Sequence, residues 1–162
     1  MSKKSFFKKP IAKKILWVLA VTIGGLILWN ITFLFDALFQ GVIRRLFMLF
    51  IPFNPETGYG WFPSLMHGLF VVVICLISWP ILKSKLGTLY KAIYSTVPLA
   101  VIIVTIGILF NQLPTLIYII GVLFGISILY YLYRTNRSWI YYYAVIFTGL
   151  TLAIFTLMGG EI

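Results

Sequence analysis

The chain has 162 residues, enough for one domain, and 62% of them are hydrophobic whereas 10% are charged. Soluble domains contain roughly 45–50% apolar and about 25% charged residues, so this composition excludes an ordinary soluble fold. The net charge of +10 arises from basic residues beside apolar stretches, which favours a membrane surface over nucleic acid as the partner. Cys75 is the single cysteine, so a disulfide within the chain is excluded.

Five apolar stretches, each long enough to cross a membrane, follow a lysine-rich tail over residues 1–14. We predict an all-α polytopic membrane protein: a bundle of five transmembrane helices with an outer interfacial helix, in a single transmembrane domain over residues 15–162. The first stretch has about 21 residues, longer than the apolar core of a secretory signal peptide, so we expect it to stay uncleaved. The predicted spans are 15–35, 61–82, 94–110, 113–132 and 139–158.

The connection over residues 36–60 is the longest between predicted spans. Its first part, 37–51, is too short and too interrupted by Arg44 and Arg45 to cross the bilayer. We therefore predict an amphipathic helix lying on the outer surface, with Asp36 as its N-cap. The remainder is rich in proline and glycine and is predicted to be a turn-rich loop.

Charge is sorted along the chain in a way that predicts orientation. All lysines and arginines except Arg44 and Arg45 fall on one side of the predicted bundle. Cytoplasmic segments of membrane proteins carry an excess of lysine and arginine. We therefore expect a multi-pass protein of the cell membrane with a cytoplasmic N-terminus and an extracytoplasmic C-terminus. The three acids, Asp36, Glu56 and Glu161, are then predicted outside.

His67 is the only histidine and is the candidate catalytic residue, because an imidazole can act as a general acid or base, or as a gate, near the outer surface. The alternative is a histidine hydrogen-bonded to a neighbouring helix. One histidine and one cysteine are fewer than the roughly four ligands that zinc takes. We therefore predict no metal site and no cofactor.

An outer-face patch is the candidate binding site; it comprises Asp36, Arg44, Arg45 and Glu56, and His67 is expected to lie with them. Adjacent guanidinium groups can hold a phosphate or a carboxylate. The alternative is an interfacial helix whose arginines contact lipid headgroups. Gly121 and Gly125 form a small-xxx-small motif that predicts close helix packing, either within the bundle or between chains. In the first span, the adjacent Gly24 and Gly25 offer a smooth surface that another helix could approach closely.

Three functions remain open at this stage. The first is a small non-enzymatic integral membrane protein, an accessory, assembly or immunity-type partner of another membrane component. The second is a small oligomeric transporter or channel. The third is a membrane enzyme acting on a lipid-linked substrate at the outer face, with His67 as base. The expected partners are the bilayer, anionic lipid headgroups, and either another membrane protein or a second copy.

Overall fold

The computed structural model describes residues 8–50 and 62–158, which fold into five α-helices without a strand. All five are long and apolar enough to span a membrane, which confirms the predicted all-α bundle. Glu56, Glu161 and the predicted loop over 52–60 lie outside the described residues. The helices are α1 Lys8–Phe50, α2 Phe62–Lys83, α3 Thr88–Leu109, α4 Pro114–Arg134 and α5 Trp139–Leu157.

Successive helices run in opposite directions, because four-residue connections at 84–87, 110–113 and 135–138 force neighbours to be antiparallel. Helix α1 runs parallel to α5: the Trp17 ring stacks on that of Trp139 with centroids 6.3 Å apart. We call this end of the bundle the basic side. Every lysine and arginine in the described part of the chain lies there except Arg44 and Arg45.

Helix α3 lies at the centre of the bundle and contacts the four other helices. It approaches α1 most closely at a pair of glycines. A Cβ atom on Gly24 would fall 2.9 Å from Ile93 Cγ2, and one on Gly25 would fall 3.2 Å from Thr96 Oγ1. Small residues allow helix backbones to approach closely in membranes, so this glycine pair fixes α1 against α3.

Two polar links reinforce the central packing. Trp29 Nε1 donates a buried hydrogen bond of 3.1 Å to the carbonyl oxygen of Thr96, and its ring stacks on Phe147. Thr22 Oγ1 and the Tyr143 hydroxyl lie 2.7 Å apart, which joins α1 to α5. Hydrogen bonds of this kind hold transmembrane helices together where the surrounding lipid is as apolar as the helices.

The predicted break after residue 35 was wrong. Residues 36–50 continue α1 as one helix of 43 residues, about 65 Å long, or twice the roughly 30 Å of a hydrocarbon core. Asp36 is therefore inside a helix and is not an N-cap, and no separate outer helix begins there. Two side chains, Gln40 and His67, satisfy the Asp36 carboxylate, so this polar residue does not interrupt the helix.

The start of α3 also differs from the prediction. The helix begins at Thr88 and not at residue 94, because Lys91, expected in the connection, occupies its first turn. Helices α2, α4 and α5 begin and end within two residues of the predicted spans. The basic ends of the helices thus extend past the apolar stretches that the sequence pattern detects.

Candidate functional site

A buried ionisable pair joins α1 to α2. His67 Nδ1 lies 3.1 Å from Asp36 Oδ2, with the two side chains only 5% and 11% exposed. The other carboxylate oxygen, Oδ1, accepts a hydrogen bond of 3.0 Å from Gln40 Nε2, one turn farther along α1. Each oxygen of the carboxylate therefore has a donor, as a buried charged group requires.

The far nitrogen of the imidazole is different. His67 Nε2 is buried and has no hydrogen-bond partner among the described residues. With Nδ1 donating to the carboxylate, a neutral imidazole carries its free lone pair on Nε2. A carboxylate that orients a histidine in this way is the arrangement found in general bases and behind metal-bound histidines. Among the described side chains no group of three metal-ligating residues comes together.

Aromatic rings surround the Asp36–His67 pair. The Phe70 ring centroid lies 6.1 Å from that of His67, and Phe70 is itself fully buried. Phe35 and Phe39, on either side of Asp36 along α1, both pack against Phe70 with centroids 5.9 and 5.8 Å away. An apolar wall of this kind strengthens the attraction between the partners and makes any unpaired polar atom costly.

The pair lies near one boundary of the apolar layer. Nineteen residues separate Asp36 from Trp17, or about 28 Å along α1, which is close to the full thickness of a hydrocarbon core. Trp17 stacks on Trp139 at the basic side, where Lys13 also lies over its ring. Because tryptophan and lysine favour the membrane boundary, the pair falls near the opposite boundary and not at the midplane.

The two arginines of the predicted patch, Arg44 and Arg45, are separate from this pair. Arg44 and Arg45 are exposed and follow Asp36 by two turns, about 12 Å along the helix axis for Arg44. Glu56 lies outside the described residues. The structure thus brings Asp36 and His67 together and leaves the two arginines farther along α1.

The predicted packing glycines face open space. A Cβ atom on either Gly121 or Gly125 would meet nothing within 4 Å. Helix α4 is also the least buried of the five described helices. In its most apolar 18-residue segment 6% of the residues are buried, against 39% in the corresponding segment of α3. The glycines that allow close helix packing within the bundle are Gly24 and Gly25, where α1 contacts α3. We call Gly121, Gly125 and the surface around them the glycine face of α4.

Sequence reasoning grouped Asp36 and His67 on one outward-facing patch, but it did not predict that the two side chains contact each other directly. Asp36 was assigned to a helix cap, and nothing local in the sequence indicates a partner on another helix. The hydroxyl groups of Thr32, Thr105 and Thr148 donate hydrogen bonds to carbonyl oxygens of their own helices. Comparison of the chain with protein-family models, curated proteins and solved structures finds no match.

Proposed function

We propose that the protein is an accessory or assembly partner of another integral membrane protein and that it docks through the glycine face of α4. The observation that carries the proposal is the open space over Gly121 and Gly125. Neighbouring glycines one turn apart form a shallow groove that admits the backbone of a second helix. Within this bundle the groove has no occupant among the described residues.

The contrast with α1 supports this assignment. Gly24 and Gly25 use the same property of glycine to bring α1 against α3, where an added Cβ would collide with Ile93 or crowd Thr96. The glycine face of α4 offers an equivalent surface, and among the described helices α4 contacts only α3 and α5. A transmembrane helix of a second protein is the occupant that matches its length and apolar character.

Site-specific photocrosslinking tests the proposal. A photoreactive phenylalanine at Tyr118, one turn before Gly121 and 44% exposed, should crosslink in native membranes to one different membrane protein. The matched control is the same amino acid at Ile154 of α5, which is 55% exposed and should give no such adduct. Equal adducts at both sites, or adducts to lipid alone, would contradict docking through α4. A homodimeric adduct would show that a second copy occupies the face.

For orientation, we propose that the basic side faces the cytoplasm of a cell membrane. The support is the collection of lysines and arginines at one end of the bundle, since such an excess sets the cytoplasmic side. Lys13 and Lys83 both lie over tryptophan rings there. Under this orientation the Asp36–His67 pair lies near the outer boundary.

A second candidate function is favoured by the unpartnered Nε2 atom of His67. Ionisable residues within membrane helices are often functional, and a carboxylate-oriented imidazole can remove a proton from a hydroxyl group. The protein would then be a membrane enzyme acting on a lipid-linked substrate. Its test is a comparison of membrane lipids from cells producing the wild type or His67→Gln. A lipid-linked species altered by the wild type alone is expected, and identical profiles would contradict this function.

A further inference from the structure

We propose that a groove between α2 and α4 at the basic side binds one anionic phospholipid. Among the described residues α2 and α4 do not contact each other, and a cavity of about 520 Å³ lies between them. Its floor is formed by α3 and α5. The volume falls within the roughly 300–1,000 Å³ of sites that bind small molecules. This inference is independent of docking through the glycine face.

The polar end of the groove carries two cations. Lys83, from the last turn of α2, and Arg137, from the turn before α5, both line it. The Lys83 ammonium lies 3.9 Å from the centroid of the Trp79 ring, which is also part of the lining. A cation–π contact of this geometry holds the ammonium at the rim of the groove.

No carboxylate of the described residues lies near these cations to neutralise them. Asp36 is the one acid in the described part of the chain, and it is paired with His67 near the other boundary. His67 and Lys83 are sixteen residues apart on α2, or about 24 Å along its axis. The positive charge at the rim therefore complements an anion from outside the protein. The hydroxyl-bearing side chains of Tyr131 and Tyr141 line the same end and can donate to phosphate oxygens.

The rest of the groove is apolar. From Ser95 to Ile102 along α3, both of them lining residues, it extends about 10 Å from the basic side toward the middle of the bundle. Leu99 and Phe124 contribute to this part. A ligand that fits must combine an anionic head with an apolar chain that lies along the helices. A phospholipid has this form, and basic pockets between transmembrane helices are known to hold such headgroups.

The test uses the purified full chain in detergent, with bound lipid counted by native mass spectrometry. We expect phosphatidylglycerol to bind more tightly than phosphatidylcholine with the same acyl chains. Lys83→Gln with Arg137→Gln should weaken phosphatidylglycerol binding about thirty-fold, since each cation near an anionic surface contributes about a factor of five. The matched control, Lys85→Gln with Lys91→Gln, removes equal charge from the same side but from residues that do not line the groove.

A second variant tests the apolar part. Ile128→Trp would fill the groove and should reduce binding of both lipids while leaving Lys83 and Arg137 in place. Inorganic phosphate at millimolar concentration should not displace the lipid; displacement would assign the site to a free anion. Equal losses of phosphatidylglycerol affinity in the groove and control double variants would show that the lipid is attracted to the basic surface in general, and this would overturn the proposal. Equal affinity of the wild type for phosphatidylglycerol and phosphatidylcholine would overturn it as well.

Discussion

Asp36 Oδ2 and His67 Nδ1 lie 3.1 Å apart and join α1 to α2 through a buried polar contact. The pair lies where α1 passes α2, in a region otherwise packed by phenylalanine rings. It explains how α1 accommodates an acid in the middle of a continuous helix. The same contact leaves His67 Nε2 without a hydrogen-bond partner among the described residues.

Substitutions at the two members of this pair are expected to be non-additive. Asp36→Leu leaves buried imidazole without its acceptor, and we expect the free energy of unfolding to fall by about 2–5 kcal/mol. Asp36→Leu combined with His67→Leu should cost less than the sum of the single substitutions. Reversible unfolding in mixed micelles measures all three variants. Strictly additive losses would show that the two residues do not interact.

Alanine at two glycines is expected to change stability in opposite directions. Gly24→Ala places a Cβ atom 2.9 Å from Ile93 Cγ2, and overpacking of this kind costs about 1–3 kcal/mol. Gly121→Ala meets open space and should gain about 0.5–1 kcal/mol from higher helix propensity.

Thermal unfolding of the two variants in one detergent checks this contrast. Ile93→Ala should relieve the loss caused by Gly24→Ala, so the double variant should be more stable than additivity predicts. Destabilisation of the same size at both glycines would contradict the difference in packing between α1 and α4.

The hydrogen bond from Trp29 is expected to contribute about 1 kcal/mol. Trp29→Phe keeps an aromatic ring against Phe147 but removes the donor to the Thr96 carbonyl. Trp17→Phe is the matched control, because Trp17 also stacks on an aromatic ring, Trp139, and contributes no hydrogen bond between described helices. The free energies of unfolding of the two variants should differ by about that amount. Equal values would show that the Trp29 hydrogen bond does not contribute to stability.

Orientation can be measured with single cysteines. In a Cys75→Ser background, we expect a membrane-impermeant maleimide added to intact cells to label Gln112→Cys. It should label Thr135→Cys, at the basic side, only after the membrane is opened. Both positions are exposed in turns at opposite ends of the bundle. The reverse labelling pattern would contradict a cytoplasmic basic side.

Much of the fold could be predicted from the sequence because a membrane-spanning helix is recognised by a continuous run of apolar residues. Runs of apolar residues bounded by Lys83, Arg134 and short turns predicted the ends of α2, α4 and α5 to within two residues. Helix α1 was different: two arginines and an acid indicated a break after residue 35. That interpretation failed because the partner that stabilises Asp36 within a helix, His67, comes from α2.

For the candidate site, too, the residues could be selected from the sequence but the contacts between helices could not. Residue type selected His67 and Asp36, but the distance between them depends on how α1 crosses α2, which no local pattern encodes. The sequence likewise selected both Gly24–Gly25 and Gly121–Gly125 as surfaces for close packing, and the structure places the close approach within the bundle at the first pair. Small-residue motifs predict that helices can pack closely, and only the arrangement of all helices decides which motif is already occupied.

The most direct measurement of the central proposal is co-purification of the partner from native membranes with glycine-face variants. Gly121→Leu and Gly125→Leu should each remove most of the captured partner while leaving thermal stability close to the wild type, because a Cβ atom at either position has nothing within 4 Å. Gly149→Leu on α5, which also meets open space, should retain the partner. Undiminished capture by both α4 variants, or equal loss with Gly149→Leu, would contradict docking through the glycine face of α4.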